Sequence, residues 1–363
     1  MVISVYIHKV TQLVLILVVG ILISGCSTTS DKRFTLIYPE TTQTLYYPDA
    51  PQPARYQYIG DLVGEKNFPE ILSKKQGFWM RFMSSLTGYG VEPAKTLKRP
   101  VNGLTMSDDT ILIADAGLHG IFKFSPSENQ FEIWKKANRQ ISFVNPVGLA
   151  EGDNLQVFIS DAGLGEIFLL SSQGDLIRQF GKGLLTRPAG IAYHQQSQQL
   201  FVVDTQAHQV LVFNAQGELL DRIGQHGDRH QYIDLNHPTF IALKDNILYI
   251  TDTMNASVVS SSLDGDFLNR FGKRGYHMGN FNRPKGVAVD SQNNLYVVES
   301  YFDFLLVYNG QGQLLLPIGG TGNDPGQFYL PSGVWVDEQD RIFIADMANG
   351  RVSVFQYLAT HDE

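Results

Sequence analysis

Residues 187–192 read Arg187-Pro188-Ala189-Gly190-Ile191-Ala192, and this short pattern predicts the fold because it recurs along the chain. It is a proline followed, in most copies, by a glycine and small apolar residues. The other copies begin at Arg99-Pro100, Asn145-Pro146, His237-Pro238, Arg283-Pro284 and Leu330-Pro331. Successive prolines are 46, 42, 50, 46 and 47 residues apart. Repeats of this length built from short strands are typical of a β-propeller, with one four-stranded blade per repeat.

The interior of each repeat also predicts strands. An apolar run ends in an acid at the same place in each copy, in the segments 111–115, 157–161, 201–204, 248–252, 295–299 and 342–346. A turn and a second β-rich run follow, such as Val210-Leu211-Val212-Phe213. Runs rich in valine, isoleucine and aromatic residues, bounded by glycine, aspartate and asparagine, are typical of strands and hairpins. We therefore expect an all-β, six-bladed ring.

The last repeat lacks a fourth strand because the chain stops at Glu363. Earlier repeats supply this outer strand and end it in an aromatic residue or isoleucine followed by glycine, as in Phe180-Gly181. A matching segment, Tyr56-Gln57-Tyr58-Ile59-Gly60, lies upstream of the first repeat. We expect this strand to complete the last blade, so that the closed ring has no exposed edge.

These repeats resemble those of the NHL family of six-bladed propellers. The matching elements are Pro-x-Gly-[Ile/Leu/Val], the strand that ends in Asp, and the later [Ile/Val]-x-[Val/Leu]-Phe, over residues 54–358. The Asn-His-Arg run that is common after the Asp in that family is eroded, for example to Leu118-His119-Gly120, and Glu299 replaces the Asp in the fifth copy. The resemblance specifies the fold, but rings of this kind host enzymes, RNA binders and scaffolds.

The N-terminus predicts a lipoprotein. Residues 13–23 form an apolar run that is too short to span a membrane, and it ends in Ile23-Ser24-Gly25-Cys26, which resembles a bacterial lipobox. The alternative is an ordinary secretory signal with a chance cysteine. In the lipoprotein family residues 1–25 are removed, Cys26 carries a diacylglyceryl group, and its new amine is acylated with a fatty acid such as palmitate. Ser27 then favours the outer membrane of a Gram-negative cell, facing the periplasm or the surface.

Composition limits the function further. Cys26 is the only cysteine, so the mature chain has no free thiol for a disulfide, a nucleophile or a thiolate metal site. The chain has 34 glycines, 43% hydrophobic and 18% charged residues, which suits one large β domain. The formal net charge is −8, and an acidic surface repels phosphates, so we expect no nucleic-acid partner.

Two segments lie outside the repeats. Residues 26–53 are predicted to form the lipidated cysteine and a tether, whose prolines could instead lie along the ring, and residues 359–363 form a tail. Within an insertion at 66–98, Phe78, Phe82 and Leu86 have helical spacing. This helix, at 77–87, either packs over one mouth of the ring or presents Phe78, Trp79 and Phe82 to a membrane or a partner protein.

The repeated acids are candidate ligands, but a strand-ending Asp usually accepts backbone N–H groups of the neighbouring turn. Glu299 is the exception, since its side chain is longer and Asp303 follows four residues later. This pair could help to bind a cation, as acidic residues do in calcium-dependent propeller lactonases. A Ca²⁺ site would need six or more oxygens from several blades.

Histidines are the second set of candidates. His226 and His230 fall in the longest connection between blades, 224–236, and could bind zinc or belong to a solvated loop. His119 and His208 occupy equivalent places in blades one and three, where they could face a common mouth or replace the family's turn residues. The sequence contains no G-x-S-x-G motif and no phosphate loop.

Two hypotheses follow. The first is a membrane-anchored, non-enzymatic propeller whose face or channel mouth binds another envelope protein or a ligand, without a cofactor. The second is a lyase or lactonase that depends on a divalent metal, Ca or Zn, and acts on a small envelope metabolite through Glu299, Asp303, His119 and His208. The second requires polar side chains from three or more blades to converge at one mouth. We favour the interaction protein.

Overall fold

The computed structural model describes residues 34–38, 44–75, 93–224 and 233–358. Within these residues, six antiparallel sheets form the six blades of a β-propeller. Five sheets have four strands each, and the sixth has five strands. The fold predicted from the proline repeats is therefore confirmed.

Five blades place their strands in chain order from the central channel outward, and in the sixth the last three strands of the chain are followed by two strands from its N-terminal part. The inner strands are β3 (Pro100–Thr105), β7 (Pro146–Glu151), β11 (Pro188–His194), β15 (Pro238–Lys244), β19 (Pro284–Val289) and β23 (Val334–Val336). The second strands are β4 (Ile111–Asp115), β8 (Val157–Asp161), β12 (Gln199–Asp204), β16 (Ile247–Asp252), β20 (Leu295–Glu299) and β24 (Arg341–Asp346). The third strands are β5 (Gly120–Ser125), β9 (Glu166–Leu170), β13 (Gln209–Asn214), β17 (Ser257–Ser262), β21 (Phe304–Tyr308) and β25 (Arg351–Tyr357). The outer strands are β6 (Gln130–Trp134), β10 (Leu176–Phe180), β14 (Leu219–Ile223), β18 (Phe267–Phe271), β22 (Leu314–Gly319) and, in the sixth sheet, β2 (Tyr56–Leu62) with β1 (Tyr46–Tyr47) beside it.

The apolar runs become strands that are buried on both faces, because each blade stacks against two neighbours. Every residue of β4, β8 and β20 is buried, whereas the outer strand β10 alternates between half-buried and exposed positions. The core lies between blades: Tyr296 and Val298 of the fifth blade pack with Ile342 and Phe355 of the sixth. Continuous apolar patterning in the middle strands and alternation at the rim follow from this stacking.

The sixth sheet contains the first long strand of the chain. β2 pairs antiparallel with β25, with Tyr58 opposite Phe355 and Leu62 opposite Val352. Tyr58 and Leu62 are completely buried. A strand from near the N-terminus thus lies beside the last strand of the chain in one hydrogen-bonded blade.

The described residues of the segment predicted as a tether pack along the ring. Phe34 contacts Phe68 with ring centroids 5.2 Å apart, and Tyr47 contacts Phe355 at 5.8 Å. The backbone of Ile37 also forms a bridge with Asp61. The free tether expected over residues 26–53 is therefore too long, because aromatic side chains from Phe34 onward bury themselves against the sixth and first blades.

The insertion before the first blade begins with a 3₁₀ turn, Glu65–Asn67, and a short helix α1, Pro69–Lys75. The Asn67 side chain accepts hydrogen bonds from the N–H groups of Val63 and Gly64 and donates to the carbonyl oxygens of Thr35 and Asp61. The predicted helix at 77–87 lies outside the described residues. No helix within the described ranges is both long enough and apolar enough to cross a membrane.

Because successive strands are antiparallel, their connections alternate between two ends of the ring. We name one end the proline face, since the inner strands begin there. It comprises the loops 93–99, 135–145, 181–187, 233–237, 272–283 and 320–333 and the turns 116–119, 162–165, 205–208, 253–256, 300–303 and 347–350. The opposite end, the turn face, comprises 106–110, 126–129, 152–156, 171–175, 195–198, 215–218, 245–246, 263–266, 290–294, 309–313 and 337–340.

Candidate functional site

Glu299 ends the second strand of the fifth blade, and its carboxylate is occupied by backbone donors. It is 1% exposed and accepts hydrogen bonds from the N–H groups of Asn282 at 2.8 Å, Arg283 at 2.9 Å and Tyr301 at 3.0 Å. Burial raises the pKa of this carboxyl, and the three backbone hydrogen bonds oppose that rise. The carboxylate thus links the loop 272–283, which precedes the inner strand of this blade, to the turn 300–303, which follows the second strand. This is a structural role.

The other repeated acids make the same connection in their own blades, each accepting from the loop about 16 residues earlier in the chain. The pairs are Asp115 with Lys98 and Arg99, Asp161 with Val144 and Asn145, Asp204 with Thr186 and Arg187, Asp252 with Asn236, and Asp346 with Tyr329. Glu299 therefore performs the turn role of an aspartate with a longer side chain.

Asp303 lies in the turn after Glu299 and is also buried. It accepts hydrogen bonds from the N–H of Leu330 and the hydroxyl of Thr321, both at 2.8 Å. These two donors belong to the loop that enters the sixth blade. The Asp303 carboxylate thus joins the fifth blade to the sixth, and its backbone φ of 60° lies in the left-handed region that aspartate tolerates.

His119 and His208 occupy the same left-handed turn position in the first and third blades, with φ of 51° and 58°. His119 donates from Nδ1 to the carbonyl oxygen of Val144. His208 accepts at Nδ1 from the N–H of His237 at 3.2 Å, and the two rings meet edge to face at 4.2 Å. Both histidines lie on the proline face, and each is bound to the loop that enters the next blade.

Several predicted site residues lie outside the described ranges. They are the lipidation residue Cys26, the helix residues Phe78, Trp79 and Phe82, and the loop histidines His226 and His230. Among the residues that are described, no group of three or more His, Cys, Asp or Glu is placed to hold a metal ion. Metal binding by Glu299 with Asp303 stays a prediction that this geometry does not favour.

The central channel contains a cavity of about 360 Å³ that is lined by the inner strands of all six blades. Most of its lining side chains are apolar, among them Ile191, Phe240, Val287 and Val334, but polar atoms form slightly more of the accessible wall than apolar atoms do. The lining extends to Gln195 in the turn face but includes none of the residues that directly follow the six prolines. The cavity therefore lies toward the turn face of the channel.

The inner strands approach so closely that several positions accept only glycine. A Cβ on Gly190 would lie 2.6 Å from the Cα of Phe240 in the next blade, and one on Gly286 would lie 2.6 Å from the backbone nitrogen of Val334. This contact explains the glycine of the repeat. In the fourth blade Phe240 stands where most other copies have the motif glycine. Val147 of the second blade packs against the hydrophobic cluster that contains Phe240 and Val287. Apolar contacts therefore cross the channel on the proline side of the cavity.

Polar side chains also line the rim of the cavity. The Trp335 ring stacks on Phe343 with centroids 5.1 Å apart, and its Nε1 donates to the hydroxyl of Thr105 at 3.1 Å. The Tyr193 hydroxyl donates to Asp153 at 3.3 Å. Burial and then the Asp153 carboxylate raise the pKa of Tyr193 to about 12, so its hydroxyl stays protonated at neutral pH.

The turn face around this rim is acidic. The eleven turns named above contain thirteen Asp and Glu residues and no Lys or Arg, and the connection 48–55 between β1 and β2 at the same end adds Asp49 and Arg55. Glu151 of the cavity lining is held by the N–H and the hydroxyl of Ser107, at 2.9 and 2.6 Å. The arrangement can therefore enclose an apolar group in the channel while the surrounding carboxylates attract positive charge.

The cavity was missed in the sequence, although two of its residues depart from the repeat. Phe240 replaces the glycine of the motif, and Trp335 replaces the alanine found at that place in the second to fifth copies and the leucine of the first. Large aromatic residues at positions that are not aromatic in the other copies were the available signal. Their side chains fill space that neighbouring blades leave open, which repeat patterning does not reveal.

Comparisons with known proteins agree with the fold. The model of the family DUF5128, described as a 6-bladed beta-propeller, matches residues 182–272, about a quarter of the chain. A streptogramin B lyase structure aligns with a TM-score of 0.54 and 15% identity, over 73% of this chain and 84% of its own.

Two further solved structures are similar to the ring. A gluconolactonase from Xanthomonas campestris aligns with a TM-score of 0.55 and 16% identity, over 72% of this chain and 87% of its own. An auxiliary nutrient binding protein from Bacteroides thetaiotaomicron aligns with a TM-score of 0.59 and 14% identity, over 74% and 71%. At these identities the likeness is one of fold: the chain is a six-bladed β-propeller.

Proposed function

We propose that this protein is a lipoprotein of the cell envelope whose propeller is a binding scaffold, with the channel cavity as its binding site. The lipobox-like segment that ends at Cys26 supports the anchor. The cavity supports the binding role, because six inner strands enclose a space toward the turn face whose wall combines apolar side chains with polar atoms. A site formed by regular strands is well positioned for recognition.

The proposed occupant is an apolar group that carries a positive charge at its exposed end. The wall includes aliphatic and aromatic side chains, whereas carboxylates greatly outnumber basic side chains in the connections of the turn face, where Arg55 lies between β1 and β2. A lysine-flanked apolar segment of another envelope protein or a small amphipathic cation has this chemistry. The nutrient binding protein with a similar fold supports the use of such a ring for binding.

Photo-crosslinking in cells tests the binding role. A photoreactive amino acid at Val289 lies in the cavity wall, and the same amino acid at Ile177 lies on an exposed outer strand. We expect a discrete adduct from position 289 only. Replacing Ala192, another lining residue, by phenylalanine fills the cavity and is expected to abolish that adduct. Equal adducts from both positions would contradict the proposal.

The anchor needs its own test. Labelling cells with a fatty acid is expected to mark the wild-type protein and not Cys26→Ser, which should also leave the membrane fraction. A labelled Cys26→Ser protein would show that the lipobox was misread. The result does not affect the test of the cavity.

The alternative is a divalent-metal-dependent lyase or lactonase. It would require the proline-face groups Glu299, Asp303, His119 and His208 to turn from their backbone partners toward one ligand. Elemental analysis of the purified ring separates the hypotheses. Calcium or zinc at one equivalent, lost in Glu299→Gln, would favour the enzyme, whereas a metal-free ring that still forms the cavity adduct would favour the scaffold.

A further inference from the structure

The net charge of −8 conceals a strong separation of charge between the two ends of the ring. Four loops of the proline face, 93–99, 135–145, 181–187 and 272–283, contain eleven Lys and Arg residues and no Asp or Glu. These residues are Lys95, Lys98, Arg99, Lys135, Lys136, Arg139, Lys182, Arg187, Lys273, Arg274 and Arg283. All eleven are exposed. The carboxylates of the turn face lie at the opposite end, so the ring has one basic and one acidic end.

Three of these cations occupy the same repeat position. Arg99, Arg187 and Arg283 immediately precede the prolines of the first, third and fifth blades, so they alternate around the mouth of the channel. Within the described part of the chain, none of their guanidinium groups makes a hydrogen bond or ion pair. Burial, and then Arg283 and Arg99, lower the pKa of Lys285, as expected where cations from different blades converge.

The acids of the proline face do not cancel this charge at the surface. Asp115, Asp161, Asp204, Asp252, Glu299 and Asp346 are buried and accept backbone or side-chain donors beneath the mouth. Asp303 and Glu166 are also buried, and Glu166 pairs with Lys182 at 3.2 Å. Among described loop residues the exposed acids of this face are Asp234 and Asp324.

The proline face also exposes apolar side chains. Eight of the exposed large hydrophobic residues lie in its loops and turns: Val144, Leu184, Met254, Tyr276, Met278, Tyr301, Tyr329 and Leu330. The described turns of the opposite face contribute none. Tyr276 is 79% exposed, and its ring meets that of Phe302 edge to face with centroids 6.0 Å apart. Basic residues mixed with exposed aromatic and aliphatic side chains are typical of surfaces that settle into a membrane interface.

Strand β2 ends at this same end of the ring. Leu62 pairs with Val352 directly after the proline-face turn 347–350, and Thr35 donates its N–H to the carbonyl oxygen of Asn67, five residues beyond Leu62. Phe34 contacts Phe68, which packs on Phe124 and Phe131 near the turn 126–129 of the opposite face. Cys26 precedes Phe34 by eight residues, which span about 28 Å at most.

We propose that the proline face docks on an anionic lipid bilayer, with arginine and lysine side chains on the lipid phosphates and Tyr276 and Met278 at the interface. The turn face and the cavity then open away from the membrane. This attraction does not depend on lipidation of Cys26.

The test therefore uses a chain that cannot be lipidated. Arg33–Glu363 form one compact unit, so a protein that begins at residue 27 carries the whole ring. We expect it to sediment with vesicles of phosphatidylcholine and phosphatidylglycerol in a three-to-one ratio, and not with pure phosphatidylcholine. Binding should weaken as salt is added, because exposed charges are screened.

The decisive variant is Arg99→Gln with Arg187→Gln and Arg283→Gln, whose guanidinium groups make no hydrogen bond or ion pair within the described residues. At roughly a fivefold loss per basic residue near the surface, we expect binding about a hundredfold weaker, with an unchanged melting temperature. Adding Asp108→Asn, Asp175→Asn and Asp264→Asn on the turn face restores the net charge. We expect this sextuple variant to bind the vesicles as weakly as the triple variant, because the position of the basic residues on the ring, and not the total charge, governs docking.

A tryptophan reporter checks the orientation. Tyr276→Trp should shift its emission to the blue on the anionic vesicles, whereas Ile177→Trp on an outer strand should not. The proposal is overturned if wild-type protein ignores anionic vesicles, if the triple arginine variant binds as well as wild type, or if restoring net charge restores binding. Failure of Cys26 lipidation would leave all of these outcomes unchanged.

Discussion

Asp303 in the turn of the fifth blade accepts a hydrogen bond at 2.8 Å from the backbone N–H of Leu330, which begins the sixth blade's proline motif. The equivalent turn residues His119 and His208 contact the loops of their own next blades. One left-handed turn position therefore supplies links between neighbouring blades. The side chains there that looked like metal ligands in the sequence are already engaged in holding the ring together.

We expect Asp303→Ala to destabilise the ring by about 1–3 kcal/mol, because the Leu330 N–H would lose its acceptor, and by about 1 kcal/mol more for the left-handed backbone. Asp303→Asn keeps an acceptor and tolerates that backbone, so it should cost less than half as much. Urea denaturation of the three proteins measures the difference. If alanine and asparagine cost the same, the hydrogen bond does not carry the effect.

Stability should depend on pH through the buried acids at the ends of the second strands. Burial raises the pKa of Asp252, Glu299 and Asp346, so the folded ring binds their protons more tightly than the unfolded chain does. The free energy of unfolding should therefore fall as pH rises from about 4, the ordinary carboxyl value, through the raised values. Denaturation across that range should show a shallower slope for Glu299→Gln, and an unchanged slope would argue against this assignment.

Gly103 should be intolerant of a side chain, because its ideal Cβ would lie 2.2 Å from the ring of Trp335. We expect Gly103→Ala to cost about 1–3 kcal/mol from overpacking and to alter the fluorescence of Trp335 in the cavity wall. Gly183→Ala is the control, since nothing lies within 4 Å of its Cβ and only its φ of 78° resists the change. Its cost should be about 1 kcal/mol, with no change in fluorescence.

Removing residues 54–65 should prevent folding to a soluble monomer. The deletion takes away β2, which pairs with β25 and buries Tyr58 and Leu62, and it would expose the edge of β25. Size-exclusion chromatography should show aggregates. A chain that begins at residue 33 retains every described strand and should elute as a compact monomer; equal behaviour of the two truncations would contradict the pairing as a source of stability.

Much of the architecture could be predicted before any coordinates, because each blade repeats the same local chemistry. Proline and glycine mark the start of an inner strand, and an acid at the end of the second strand marks a turn. Pro284, Gly286 and Glu299 therefore locate one blade from the amino-acid sequence. The role of Glu299 as a turn acceptor follows from the same regularity. The tether was misjudged, because the packing of Phe34 and Tyr47 on the ring depends on surfaces formed by strands some 300 residues away in the sequence.

The sequence by itself determined the repeat, the strand order within a blade and the acidic total, because these depend on local propensity and composition. Only the tertiary structure decided that the charges separate into a basic proline face and an acidic turn face, and that Phe240 and Trp335 shape one cavity. Residues far apart in the sequence become neighbours because antiparallel strands place alternate connections at opposite ends of the ring. The net charge does not reveal at which end each charged residue lies.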